Sequence, residues 1–350
     1  MFAKKTLVAA AAMIAAMGAA QAETSLKVYG MLDVGMSSMD AAHAKGSASR
    51  VTLVDSGNMM TSYIGFGGSE DLGGGLKAEF ALESFIGVDT GKNVANNAGY
   101  LWSRGSSVAL SGGFGKVALG QYDNPLFTSG YTYNPFGSSM AFSPTMRHFN
   151  YIGQTVGIAG AGVGFDTGWV NSVTYESPAV AGFSAVLQAS AKEATGSANK
   201  NSYAASGSYN AGPLSATLTY VKGGKTTAPS LTAYTADEKV WDLGASYDFG
   251  VVKAFAQYTD INDSTNANKD KIYQLGVSVP VTEKASVLAS FGGLKNKVSA
   301  TGATTKDEVF ALGYDYVLSK RTDVYGVIMN NRQSTLESGQ SVAVGIKHNF

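Results

Sequence analysis

The side chains able to make or break covalent bonds are sparse in this sequence, and their placement argues against a catalytic centre. Its 350 residues include three histidines, His43, His148 and His348, and no cysteine. Hydrolysis of lipid or peptide needs a nucleophile or water oriented by imidazole and carboxylate groups, and the three imidazoles are scattered along the chain. Without cysteine there is no thiol catalysis, disulfide framework, iron–sulfur cluster or cysteine-type zinc site, so neither a metal nor an organic cofactor is expected. The segment from Gly157 to Gly164 fails the Gly-x-Gly-x-x-Gly spacing of a dinucleotide loop. Glu70 and Asp71 invite a cation-site reading but fit a polar turn. Lysine plus arginine equal aspartate plus glutamate at 26 each, which gives no electrostatic footprint for nucleic acid.

What remains is electrostatic chemistry: charges set at alternate positions, able to select solutes rather than transform them. Lys27 and Asp33 share a parity with Tyr29 and Met31, against Val28, Leu32 and Val34. Lys77, Glu79 and Glu83 oppose Leu76, Ala78, Phe80 and Leu82, and Lys116 opposes Val117 and Leu119. Tyr63 opposes Ile64 and Phe66. Arg104 opens a segment with no clean apolar face.

Such alternation is the mark of strands with one apolar and one polar face. It recurs at Leu214–Tyr220, Trp241–Phe249, Tyr273–Val279 and Val342–Phe350. Short breaks, such as Asp71–Gly74, Gly112–Gly115 and Ala211–Pro213, alternate with long polar ones, including Ser37–Gly57, Lys192–Asn201, Gly223–Glu238 and Asn262–Asp270. That rhythm predicts hairpins with tight turns at one end and long loops at the other. Upstream, Lys4 and Lys5, the apolar run Thr6–Ala16 and Ala20-Gln21-Ala22 have the form of a secretory leader over residues 1–22, cleaved before Glu23. The apolar run is shorter than the roughly 20 residues a spanning helix needs.

A soluble sandwich would rarely need so many strands. A membrane barrel turns the apolar face to lipid and the polar face to a wet interior, leaving no unpaired edge. At roughly 20 residues per strand and connection, with strands of about 9–11 residues, residues 23–350 make on the order of sixteen strands, enough to enclose an aqueous channel. The expected fold is therefore an all-β, 16-stranded antiparallel transmembrane barrel, with Tyr220, Phe249, Tyr316 and Phe350 as interfacial aromatics.

Several segments resemble the Gram-negative general porins of the Neisseria, Bordetella and Burkholderia type. They are Leu26-Lys-Val-Tyr-Gly30 with Asp33, Gly68-Ser-Glu-Asp-Leu-Gly73, Leu110-Ser-Gly-Gly-Phe-Gly115, Asn171-Ser-Val-Thr-Tyr-Glu-Ser-Pro178 and Val344-Gly-Ile-Lys-His-Asn-Phe350. The resemblance spans the chain beyond the leader and implies a homotrimeric outer-membrane channel for small hydrophilic solutes and ions, set in outer-membrane lipid and lipopolysaccharide. It implies that the third external loop, here about 123–167, folds into the channel, bringing Tyr131, Tyr133, Phe136 and Arg147 with it. It also implies that Arg104 points into the constriction, and that Phe350 is read by the barrel assembly machinery.

The pore-lining set expected from parity and resemblance together is Lys27, Met31, Asp33, Tyr63, Lys77, Glu79, Arg104, Lys116, Tyr131, Tyr133, Phe136 and Arg147. The sequence departs from the family where basic residues are common, having Tyr63, Gly67 and Leu119-Gly-Gln-Tyr122, and residues 124–165 hold no acid. The expectation is a weakly charged, aromatic constriction of low ion selectivity. A substrate-specific channel, a barrel enzyme and an adhesin are the alternatives.

Overall fold

The computed structural model describes residues 25–47, 50–93, 100–150, 167–225, 237–264, 268–299 and 301–350. The leader expected over residues 1–22 lies outside them. The strands are β1 (Ser25–Met39), β2 (Val51–Ser56), β3 (Tyr63–Gly73), β4 (Leu76–Phe85), β5 (Gly105–Gly112), β6 (Gly115–Asp123), β7 (Gly168–Glu176), β8 (Phe183–Ser190) and β9 (Ser202–Ala211). There follow β10 (Leu214–Gly223), β11 (Glu238–Asp248), β12 (Lys253–Asp263), β13 (Asn268–Pro280), β14 (Ala285–Val298), β15 (Thr304–Ser319), β16 (Thr322–Gln333) and β17 (Gly339–Asn349). Two helices, α1 (Pro125–Thr132) and α2 (Pro144–Asn150), lie between β6 and β7.

From β3 onward each strand pairs antiparallel with the next, and β17 returns to β1, Met31–Ser38 against Asn349–Val342. This closure removes the unpaired edge that hydrocarbon would not tolerate. β2 and β3 form one interrupted stave. β1 pairs with β3 over Ser25–Met31 and with β2 over Val34–Met39, so the seventeen segments make a barrel of sixteen staves.

Asp33 causes the interruption. One carboxylate oxygen accepts the Met59 and Met60 N–H groups at 2.6 and 2.8 Å, and the other accepts the Tyr325 hydroxyl at 2.6 Å. Residues 57–62 thus leave the ladder and curl inward. The break expected over Ser37–Gly57 is shorter than its polarity suggested, because the ladder continues through Met39 and resumes at Val51. β12 and β13 similarly run to Asp263 and from Asn268, since backbone pairing persists where the outer face has turned polar.

The two faces differ as lipid and interior require. Along β13, Tyr273, Leu275 and Val277 are exposed while Ile272, Gln274 and Gly276 are buried. Tyr220, Trp241, Tyr258 and Tyr273 sit on consecutive staves β10–β13, with the Tyr220 and Trp241 rings 4.6 Å apart. Six residues further along β11, Tyr247 stacks on Phe249 at 4.6 Å. At about 3.4 Å per residue the two rings of aromatics are roughly 20 Å apart along the strand, close to the roughly 25 Å apolar band of an outer-membrane barrel.

Not all of the inner face is polar. Val240, Ile261, Ile272, Leu294 and Val309 point inward and are almost inaccessible. They are covered by the segment that carries α1 and α2.

Candidate channel constriction

The inward segment departs from the wall at an irregular point of the ladder. The β6–β7 register shifts beyond Gly120, where Gly120 has φ +123° and Asn171 φ 54°. The bulge breaks the alternation, so that Gln121, Tyr122 and Asp123 all border the interior. Asn124 then caps α1: its side chain accepts the Leu126 N–H at 2.9 Å, with Pro125 in the first turn. Its amide donates to Gln188 of β8 at 2.9 Å.

Polar anchors hold the segment across the barrel. Ser129 donates to Asp242 of β11, whose carboxylate also accepts Thr259 at 2.6 Å and Gln257 at 3.2 Å. The Thr145 N–H and hydroxyl donate to Gln274 of β13 at 2.9 and 2.8 Å. His148 Nε2 lies 3.0 Å from Asp307 of β15, which also accepts the Asn331 amide. Ser139 donates to the Asn58 carbonyl at 2.6 Å. Each satisfied buried hydrogen bond contributes about 1 kcal/mol, and a partner left unsatisfied costs about 1–3 kcal/mol.

Apolar contacts do the rest. Leu126, Phe127, Met146 and Phe149 pack on Val221, Val240, Ile261, Ile272 and Leu294, while Phe136 and Phe142 pack on Val309, Ala311, Val327 and Met329. Four inward glycines make room. A β-carbon on Gly244 would stand 2.3 Å from the Tyr133 ring, on Gly276 2.5 Å from Pro135, on Gly292 2.5 Å from Pro144 and on Gly313 2.9 Å from Phe136. These positions on β11, β13, β14 and β15 are sockets in the wall.

With the segment seated on that side, open space remains beside β4–β10. One chamber of about 640 Å3 is bordered by Ser184, Ser206, Ser208, Asn210, Ser215 and Thr217 on one wall, and by Glu83, Arg104, Lys116, Asp123 and Glu176 on the other. A smaller cavity of about 180 Å3, bordered by Met60, Phe85, Phe127 and Met140, adjoins it. Arg104 and Tyr131 border both, so the two side chains stand where the cavities adjoin.

The two wall cations of the chamber are paired. Arg104 bonds Glu83 and lies 4.4 Å over the Tyr63 ring, and Glu83 also accepts the Tyr29 hydroxyl at 2.7 Å. Lys116 bonds Glu79 at 2.8 Å, and Tyr122 donates to Glu176 at 2.9 Å. Burial pushes the Tyr131 phenol above its ordinary range, and the Tyr133 phenol likewise. Both therefore act as neutral hydroxyls.

Of the expected pore-lining residues, Arg104, Lys116, Tyr131 and Tyr133 border the large chamber, with Glu79 bonded to Lys116 beside it. Tyr63 lies beneath Arg104. Lys27 and Lys77 are exposed on inward parity at the short-turn end, Lys77 opposite Asp71. Four expectations need correction. Asp33 is fully buried with both oxygens committed, and Met31 is 2% exposed, so neither meets the channel. Phe136 is buried in its glycine socket. Arg147 donates to the Ala141 carbonyl at 3.0 Å and borders neither cavity, because α2 lies against the far wall. His148, beside it, is buried on Asp307.

Asp123, Tyr122 and Glu176 were not among the expected pore-lining residues: the irregularity beyond Gly120 takes Asp123 off the parity of Lys116, whereas Tyr122 and Glu176 keep that parity and were legible by it. It also passed over Asp242, Gln274 and the four glycines, although all six share the inward parity of their strands.

Comparison with known proteins agrees with this geometry. The profile of the Gram-negative porin family matches residues 9–336. The chain belongs to the Gram-negative porin family. It is 34% identical to outer membrane porin protein 32 of Delftia acidovorans and 30% identical to an outer membrane porin protein of Bordetella pertussis, covering 99% of this chain and all of each relative. Among solved structures, the anion-selective porin from Comamonas acidovorans superposes with a TM-score of 0.75 at 29% identity, covering 94% of this chain and 100% of its own. OmpT of Vibrio cholerae, at 14% identity and a TM-score of 0.67, shares the fold. The porin is thus a multi-pass protein of the outer membrane and a general-diffusion channel.

Proposed function

We propose that the porin is a weakly ion-selective channel for small hydrophilic solutes, narrowed by the inserted segment that begins at Asp123 and carries α1 and α2 to a waist between Arg104 and Tyr131. The observation that carries this is the position of those two side chains on the border of both cavities. Weak selectivity follows from the pairing of Arg104 with Glu83 and of Lys116 with Glu79, because each pair presents a short-range dipole rather than a free charge.

The same proposal includes export by a leader cleaved after Ala22 and assembly as a homotrimer, the state named for one solved OmpT of Vibrio cholerae. Phe350 serves the assembly machinery as the terminal aromatic. Its backbone exchanges hydrogen bonds with Gly30 at 3.2 and 3.1 Å, and its ring covers that glycine. The relatives are porins, and passage through this one is diffusion without chemical change.

Liposome swelling with neutral sugars of graded size tests the reading. Influx should fall smoothly with solute size and show no saturation. Saturable uptake of one solute, against slow entry of others of equal size, would instead mark a substrate-specific channel.

A further inference from the structure

We propose that the channel prefers cations, and that Asp123 and Glu176 set that sign. The inference rests on the diffusion-channel reading above and adds to it the charge preference of the chamber.

The ionisable groups bordering the large chamber, phenols aside, are Glu83, Asp123 and Glu176 against Arg104 and Lys116. Both cations are committed to carboxylates, Arg104 to Glu83 and Lys116 to Glu79. Glu176 accepts the Tyr122 hydroxyl and faces Lys116 across the β6–β7 ladder, but Lys116 is itself bonded to Glu79. Asp123 forms no ion pair within 4.0 Å among the described residues, and the cation that acts on it, Arg104, is shared with Glu83. The surplus at the chamber is therefore acidic.

Among the described residues, the other cations of the inner wall do not reverse it, Lys27 lying away from the chamber at the short-turn end. Lys347, nearer the short-turn end, lies between Asp315 at 3.8 Å and Asp323 at 2.8 Å. Asp248 faces Lys253 across the β11–β12 ladder, and Asp71 faces Lys77. Arg147 sits behind the inserted segment on the Ala141 carbonyl. The undescribed residues beyond the leader contain no lysine or arginine, and their charged residues are Glu23 and Asp166.

At about 0.1 M salt the screening length is ~10 Å, against ~3 Å at 1 M. The first is comparable with the width of a chamber of this volume, so two cations among the four carboxylates Glu79, Glu83, Asp123 and Glu176 leave an acidic surplus that biases the ions within it at low salt. The sign differs from that in the name of the Comamonas acidovorans structure, an anion-selective porin. Overall resemblance therefore does not transfer this property.

The test is the reversal potential of the purified full-length porin in a planar bilayer of zwitterionic lipid, under a KCl gradient centred near about 0.1 M and repeated near about 1 M. The expected result is a potassium-over-chloride permeability ratio several-fold above one at low salt, shrinking at high salt. Asp123→Asn and Glu176→Gln should each lower that ratio, and the double variant should bring it to about one. An open wild-type channel with zero or chloride-directed potential overturns the proposal while leaving the diffusion channel standing. Cation preference that survives the double substitution overturns the assignment to these residues. Folded protein that opens no conductance steps overturns the diffusion-channel reading itself. Glu176→Gln alone, distant from the strand-to-loop corner, keeps the assignment testable if Asp123→Asn misfolds.

Discussion

Filling the glycine sockets should narrow the channel. In the double variant Gly244→Ala, Gly276→Ala the new methyl groups would start 2.3 Å from the Tyr133 ring and 2.5 Å from Pro135 Cδ. Carbon atoms rest at about 3.5–4.0 Å, so each contact must open by about 1 Å or more. The wall side is a hydrogen-bonded stave with neighbours on both edges, whereas the inserted segment has open chamber on its other side. The segment is therefore what yields, moving toward Arg104. Overpacking of this kind costs about 1–3 kcal/mol per site, which a sixteen-stave barrel absorbs without unfolding. Single-channel recordings should show a clear fall in unit conductance. The control is Gly207→Ala on β9, where an added β-carbon has no neighbour within 4 Å, and it should conduct as wild type. A double variant that folds and conducts like wild type would refute the idea that these glycines position the waist.

Three further outcomes are expected. Arg104→Ala removes one side of the waist and frees the Glu83 carboxylate, so unit conductance should rise and the reversal potential should move toward cations in the same recordings. Asp242→Ala strips the acceptor from Ser129, Gln257 and Thr259. At about 1–3 kcal/mol for each buried donor left unsatisfied, α1 loses its anchor, and open-channel current noise should increase with little change in the barrel's circular dichroism. At the loop end, Lys200 and the Lys225 N–H hold the Asp237 carboxyl below its ordinary range. Because the folded value is the lower one, this clip is fully formed above the unfolded aspartate value and is lost as pH falls through the folded one. A carboxyl NMR titration should place the Asp237 midpoint below that of a free aspartate, and Lys200→Ala should raise it.

The barrel was legible because its signal is local. Tyr273, Leu275 and Val277 alternate with Gln274, Gly276 and Ser278, and lipid on one side enforces that period. The side on which the inserted segment rests was not legible. Its determinants, Asp242, Gln274, Asp307 and the four glycines, meet partners more than a hundred residues earlier in the chain, and a strand glycine reads locally only as a gap. Asp33 misled for a related reason. Its inward parity was plain, but the Met59, Met60 and Tyr325 groups that occupy its carboxylate come together only when the second stave breaks and the barrel closes. Arg104 was expected from family resemblance and Tyr131 from its place in the inserted segment, and both border the two cavities. Asp123 was hidden by a one-residue bulge.

The central claim is a hydrated passage through a lipid-facing barrel whose wall cations are mostly neutralised by wall carboxylates. Unit conductance measured in symmetric KCl from about 0.1 M to about 1 M, a range over which the screening length falls from ~10 to ~3 Å, tests it most directly. Stepwise ohmic currents that scale nearly in proportion to bulk conductivity, with a slight excess at the dilute end, are the expected result. A conductance that levels off early, or folded protein that inserts without opening steps, would contradict it.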